Sequence, residues 1–345
     1  MRHLLTLNAL LLGLLIGGIP AAAAGEDSQP AQPANPGNFT FSGYDNIVVE
    51  APSGGKVKLL ADDLSLFITG HVNQKLNPFF EAEIAQTTLV QQGGNPLSNT
   101  YPHFVVERIY NDSYLTNSLT LRAGKMLSPV GEWNLIHAAP LVWTTIRPMT
   151  TYRGFSEFTS GLSLLYADTK DVLPDIQLYI QPGGAIRPRP LDMVVREYHH
   201  VSGLHLSWPF GLNDKLGLSV QHAQIKNTGE QQMLTGFNFS KEFSHLTLET
   251  EGIHTHISGT NAARVRDNEW GSYLQGTYAL NERWNLVGRH EYFADRGFAM
   301  ASKNTLLGTT YKSAPSSVWK LEYVEQNGQK LKIATGLYAS FSALF

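Results

Sequence analysis

The sequence predicts an all-β chain: a transmembrane, antiparallel, up-and-down β-barrel of about sixteen strands. Three observations predict it. Apolar residues recur at every second position from residue 39 to the C-terminus, and no stretch sustains a 3.6-residue period. Turn signals recur at regular spacing, alternately tight and long. The chain ends on Phe345, with apolar side chains at alternate positions before it. Fourteen to eighteen strands fit the same pattern, because boundaries read from sequence slip by several residues.

Composition excludes the competing classes. The 345 residues are 16% charged, well below the roughly 25% of soluble domains. Mean hydropathy is only -0.16, and no long apolar run follows the N-terminus, so helical membrane spans are excluded as well. Zero cysteines rule out a disulfide framework, a thiolate nucleophile and a zinc–thiolate site. A net charge of -3 offers nothing to nucleic acid.

Taken in order, the chain begins with Arg2 and His3, an apolar stretch Leu4 to Ile19, then Pro20 and the small run Ala21 to Ala24. These are the charged, apolar and cleavable regions of a secretory signal peptide over 1–24. Gly25 to Asn38 is rich in Pro, Gln and Asn and too polar to bury a core. It reads as a flexible periplasmic tether over 25–38, which leaves 39–345 for the barrel. Strands are expected at about 39–50, 57–73, 78–90, 103–114, 118–127, 159–168, 174–182, 195–209, 214–226, 231–241, 245–255, 267–280, 283–294, 302–312, 317–326 and 330–345. Removing 24 residues from 345 leaves 321, about 20 per strand and connection, which suits tilted membrane strands of roughly 9–11 residues.

Every second connection is tight, for example Asn281-Glu282 and Ser313 to Ser316, whereas 91–102, 128–158, 183–194, 256–266 and 295–301 are longer. Short turns on one rim and longer loops on the other characterise outer-membrane barrels. Trp208, Trp284, Trp319 and Phe345 fall near the short-turn rim, as an interfacial aromatic girdle requires. These features together assign the chain to the outer membrane of a Gram-negative cell, among its lipids and lipopolysaccharide. Arginines at 187, 189, 196, 264 and 266 are placed to meet lipopolysaccharide phosphates or solvent.

Sixteen strands enclose an aqueous lumen unless something plugs it, so small hydrophilic solutes or ions are the expected traffic, with no cofactor and no metal. Strand alternation turns Arg122, Arg289, Glu291, Lys320, Glu322 and Lys332 inward. The connection 128–158 is too apolar for open water, with Trp133, Leu135, Ile136, Leu141, Val142 and Trp143. Folding it into the barrel would bury these side chains and bring Glu132, His137, Arg147, Arg153 and Glu157 to the narrowest section, where a low-dielectric wall focuses their field on passing ions.

The segment LTLRAGKMLSPVGEWN, Leu119 to Asn134, resembles the strand-and-turn pattern of the phosphate-selective porin O and P family at Leu121, Arg122, Gly124, Pro129 and Gly131. The hairpin before it and Phe79 to Ile84 share that character, so the likeness covers about a fifth of the chain. The resemblance implies a sixteen-stranded porin, usually a homotrimer. The lysine-rich constriction of that family is absent, since 128–158 holds two arginines and no lysine. The C-terminal strand ending in Phe345 similarly resembles those recognised by the barrel assembly machinery.

An enzymatic alternative rests on His200 and Ser202, two apart and facing lipid with Leu204, Leu206 and Trp208. They loosely resemble the His-x-Ser pair of outer-membrane phospholipases. Gly203 stands where that motif has Asn, and Asn213 and Asp214 lie toward the other rim. His254 and His256 share a strand face without a carboxylate at metal-binding spacing. A third reading is a barrel that scaffolds a partner complex.

Overall fold

A computed structural model describes residues 37–97, 102–136, 138–168, 173–190, 193–211 and 213–345. The signal peptide and the tether up to residue 36, like His137, lie outside the described residues. Sixteen strands run β1 (Asn38–Pro52), β2 (Lys58–His71), β3 (Asn77–Gln91), β4 (His103–Tyr114), β5 (Leu119–Leu127), β6 (Phe158–Tyr166), β7 (Asp175–Gln181) and β8 (Tyr198–Pro209). They continue with β9 (Lys215–Ile225), β10 (Gln231–Phe243), β11 (Leu246–Ser258), β12 (Asn268–Ala279), β13 (Trp284–Ala294), β14 (Ser302–Ala314), β15 (Ser317–Gly328) and β16 (Gly336–Leu344). Each pairs antiparallel with its chain neighbours, and β1 pairs with β16, so the sheet is a closed barrel.

Closure satisfies the main-chain groups that an open edge would leave unpaired in lipid. At the seam Tyr44 stands opposite Leu344, and Gly43 and Phe345 exchange two main-chain hydrogen bonds of 2.9 and 3.0 Å. Gly43 is needed there: a Cβ would run into the Ser65 carbonyl and the Phe345 ring.

The two-residue period then sorts the side chains. On β12 Glu269, Tyr273 and Gln275 are buried inside while Trp270, Leu274 and Tyr278 face out, Leu274 with 57% of its surface exposed. On β15 Lys320 and Glu322 are inside, whereas Trp319, Leu321 and Tyr323 are outside. A ring of exposed Leu, Phe, Trp and Tyr around an inner charged wall suits a barrel solvated by hydrocarbon. Among the described residues no helix is long and apolar enough to cross a membrane. Near the short-turn rim Trp284 packs on Tyr311 and Trp319 on Phe341, each with ring centres 4.6 Å apart, and Trp284, Trp319 and Phe345 are exposed while Trp208 is half-buried.

Two details depart from the sequence expectation. β16 begins at Gly336 rather than 330, because residues 329–335 turn inward and Ile333 and Leu331 join an apolar cluster inside the barrel. The long-loop rim also has two short connections, 53–57 and 226–230. The inner wall is not uniformly polar either. Leu234, Ile253, Val287, Leu306 and Val324 point inward from β10, β11, β13, β14 and β15 and are fully covered. What covers them is the connection between β5 and β6.

Candidate channel constriction

Residues 128–157 enter the barrel and return, including a one-turn helix Trp133–Ile136 and two 3-10 turns, Ala139–Leu141 and Met149–Thr151. The local sequence explains this course. Pro129 and Pro148 interrupt any regular element while Pro140 is accommodated in the first turn of its 3-10 segment, and the apolar side chains need cover from water. Val130, Met149 and Phe155 are buried against the apolar wall patch, with Trp143, Ile146 and Tyr152 packed around it. Ala139 reaches the far side of the ring, against Tyr44 of β1 and Phe67 of β2.

Unpaired N–H and C=O groups of such a segment would be costly away from water, and strand side chains meet them. Glu251 on β11 accepts the N–H of Glu132 (3.2 Å) and of Trp133 (2.7 Å), plus the Tyr273 hydroxyl (3.1 Å). Glu322 on β15 accepts the N–H of Thr145 (3.1 Å) and Ile146 (2.7 Å). Glu291 on β13 accepts the N–H of Met149 at 2.8 Å. Arg289 donates to the Thr144 hydroxyl (2.8 Å) and the Ile146 carbonyl (2.7 Å), and Lys320 donates to the carbonyl of Ala139 at 2.6 Å. Gln221 and Gln232 anchor Ser156 and Gly154. Gly131 (φ +70°) allows the close approach: a Cβ there would collide with the Glu251 carboxylate.

These contacts separate the predicted site residues into groups. Arg289, Glu291, Lys320 and Glu322 point inward but are engaged in fastening the loop. Arg122 is bidentate to Asp112 across the β4–β5 hairpin (2.8 and 3.0 Å) and lies over the Tyr110 ring. Within the loop, Arg147 pairs with Glu157 at 2.6 Å, donates to Asn134 and Thr151, and sits between the rings of Trp133 and Tyr152. Glu132 pairs with Lys215 of β9 at 2.8 Å. Arg153 pairs with Asp295 at 2.8 Å.

Other charged groups take a place that the sequence does not assign them. Arg189 and Arg196, expected at a solvated rim, turn inward on the connection 182–197. Arg189 binds Glu107 of β4 at 2.7 Å and approaches Glu83 of β3, and Arg196 binds Asp295 (3.2 Å) and Glu269 of β12 (3.1 Å). Alternation along β3, β4 and β11 could have placed Glu83, Glu107 and Glu251 inside, yet nothing in the sequence pairs them with loops 82 to 119 residues away. Burial raises the Asp295 carboxyl, but the Arg196 charge and the Arg153 hydrogen bond outweigh it and bring the group below its ordinary 3.8. Arg264 binds Glu230 and Asp267 on the rim.

His200 lies in a β-bulge between His199 and Ser202, with φ +50°, so the regular alternation is broken there. Its ring packs at a tilt against that of His199, and no hydrogen bond joins Ser202 to an imidazole among the described residues. Asn213 and Asp214 are at the short-turn rim, bound to Glu242 and Lys241. His254 and His256 share the Asn268 side-chain oxygen, and no group of three metal-binding side chains occurs among the described residues.

A barrel of sixteen strands with one inward loop fastened to its wall is the architecture of the porin-like outer-membrane proteins. Solved structures agree. The trimer form of OmpT, an outer membrane protein of Vibrio cholerae, superposes with a TM-score of 0.63 at 13% identity, covering 90% of this chain and 100% of that one. An anion-selective porin from Comamonas acidovorans gives 0.60 at 12% identity over 90% and 100%. OmpF of Salmonella typhi, in complex with daunomycin, gives 0.63 at 10% identity over 89% and 97%. No protein-family model and no curated protein matches the sequence. The shared property is the fold, that of outer-membrane porins and channels.

Proposed function

We propose that this chain is an outer-membrane porin that passes small hydrophilic solutes or ions by passive diffusion, with neither catalysis nor a cofactor. The observation that carries this reading is the loop 128–157, held by main-chain hydrogen bonds to Glu251, Glu291 and Glu322 inside a closed barrel. A loop fastened in this way narrows a lumen without depending on a partner or substrate. Arg147 and Glu157 remain partly accessible on it, and with Glu132 and Arg153 they set the charge of the constriction. The nearby wall adds Glu83 and Glu107, with Arg189 between them.

Export by the N-terminal signal, insertion by the assembly machinery through Phe345, contact with lipopolysaccharide, and a homotrimeric state complete the proposal. The trimer of the OmpT neighbour supports the last of these. Among the described residues no hydrogen bond joins Ser202 to an imidazole, which weighs against a lipid-hydrolysing barrel. Reconstitution in planar bilayers tests the reading. Discrete conductance steps, with a reversal potential under a salt gradient, are expected. A folded barrel that never conducts overturns it, and labelling of Ser202 by a serine-ester probe would redirect attention to hydrolysis.

A further inference from the structure

On the outside of the barrel, two imidazoles are aimed at a single atom. His254 and His256 stand two apart on β11, and the alternation that buries Ile253, Thr255 and Ile257 turns both rings outward, close to the long-loop rim. Across the ladder His256 lies opposite Asn268 of β12, and His254 lies opposite Trp270. His254 Nε2 comes within 3.1 Å of Asn268 Oδ1, and His256 Nδ1 within 3.2 Å of the same oxygen. The Trp270 ring packs against one of the pair, its centre 4.0 Å from that of His254.

Two ring nitrogens so close to one point make a chelating arrangement. Metal–imidazole bonds are about 2.0–2.1 Å long, so each ring has to shift by only about 1 Å to ligate an ion held between them. In the neutral tautomer with its hydrogen on the opposite nitrogen, each imidazole offers a lone pair toward that point. Asn268 adds an amide oxygen as a third donor. Asp267, next to it in the chain, is engaged with Arg264 at 2.9 Å, so the donor set is two nitrogens and one neutral oxygen. Water reaches it, since His256 and Asn268 are exposed and His254 is half-buried. Imidazole donors favour copper, nickel and zinc, whereas magnesium and calcium take oxygen donors. Copper(II) stands highest in that affinity order.

We propose that His254, His256 and Asn268 form a surface site for a divalent transition-metal ion, with copper(II) held most tightly. The site lies on the outer faces of β11 and β12 and goes beyond the channel reading, because nothing in it requires current through the lumen.

The test is copper(II) titration of the folded full chain in micelles, without an affinity tag, followed by tryptophan fluorescence and electron paramagnetic resonance. A single equivalent of copper quenches part of the emission, and the spectrum of the bound ion carries nitrogen coupling. Trp270→Phe keeps the binding and loses that part of the quenching. His254→Ala and His256→Ala each weaken binding by at least about tenfold, the cost of losing even an outer-shell partner. Asn268→Asp, which adds a charged ligand, tightens it by about tenfold and keeps the test decisive if an alanine variant fails to fold. Zinc binds more weakly than copper, and magnesium does not compete. Copper affinity untouched by both histidine substitutions, no tightening in Asn268→Asp, or displacement of copper by equimolar magnesium overturns the proposal.

Discussion

Glu322 accepts the main-chain N–H of Ile146 at 2.7 Å across the inside of the barrel, although 176 residues separate them in sequence. The same carboxylate takes the neighbouring N–H of Thr145, so one strand residue satisfies two consecutive amides of the inward loop. Hydrogen bonds to a charged acceptor contribute about 1.5–3 kcal/mol each. Glu322→Ala is therefore expected to loosen loop docking by about 3 kcal/mol and to raise both conductance and current noise. Single-channel recording checks this, and unchanged conductance would show that the middle of the loop does not set the pore.

Glu251 serves the start of the loop as Glu322 serves its middle. Because both fasten one segment, their effects are coupled. The double variant Glu251→Ala with Glu322→Ala is expected to change conductance by more than the sum of the single changes. Additive behaviour would mean that the start and the middle of the loop move independently.

Gly131→Ala places a methyl group against the Glu251 carboxylate on a backbone at φ +70°. Strain of this kind costs of order 1–3 kcal/mol. The expected phenotype matches that of Glu251→Ala in conductance, while the barrel still folds. Loss of folded barrel altogether would instead place Gly131 in the assembly pathway.

Charge at the constriction is testable by sign. Arg147 and Glu157 form one pair at 2.6 Å, so removing either leaves the other unbalanced. Arg147→Gln is expected to shift the reversal potential toward cation preference and Glu157→Gln toward anions, by a few millivolts to about ten in a tenfold salt gradient, the effect shrinking as salt rises. Equal shifts of one sign would mean that neither side chain faces the ion path.

Acid sensitivity follows from Asp295, whose carboxyl lies below its ordinary 3.8 in the folded chain because Arg196 and Arg153 outweigh its burial. A depressed carboxyl contributes stability above its unfolded value and loses that contribution as pH falls through the folded one. The tie between the connections bearing Arg153, Arg196 and Asp295 should therefore hold at neutral pH and weaken below pH 3.8. Thermal unfolding followed from neutral to acid pH checks this: Asp295→Asn should lower the midpoint at neutral pH and narrow its gap to the unaltered chain in acid.

Sequence alone determined the strand order and the direction in which most strand residues face. Period-two alternation is a local property, written into neighbours such as Trp319, Lys320 and Leu321, and a sheet in lipid must close, so local pattern leads to barrel. It also marked 128–158 as too apolar for water. Partnership was decided only by the tertiary structure. Glu322 and Lys320 read from sequence as charges facing a pore, and they instead hold the main chain of the loop, because amides drawn away from water take the nearest acceptor whatever its distance along the chain. Arg189 and Arg196 read as rim arginines and turned inward, since Glu107, Glu269 and Asp295 offered carboxylates that no periodicity could match to them. The inward face was legible residue by residue, whereas the assignment of each charge to a partner required the curvature that brings opposite walls within hydrogen-bonding reach.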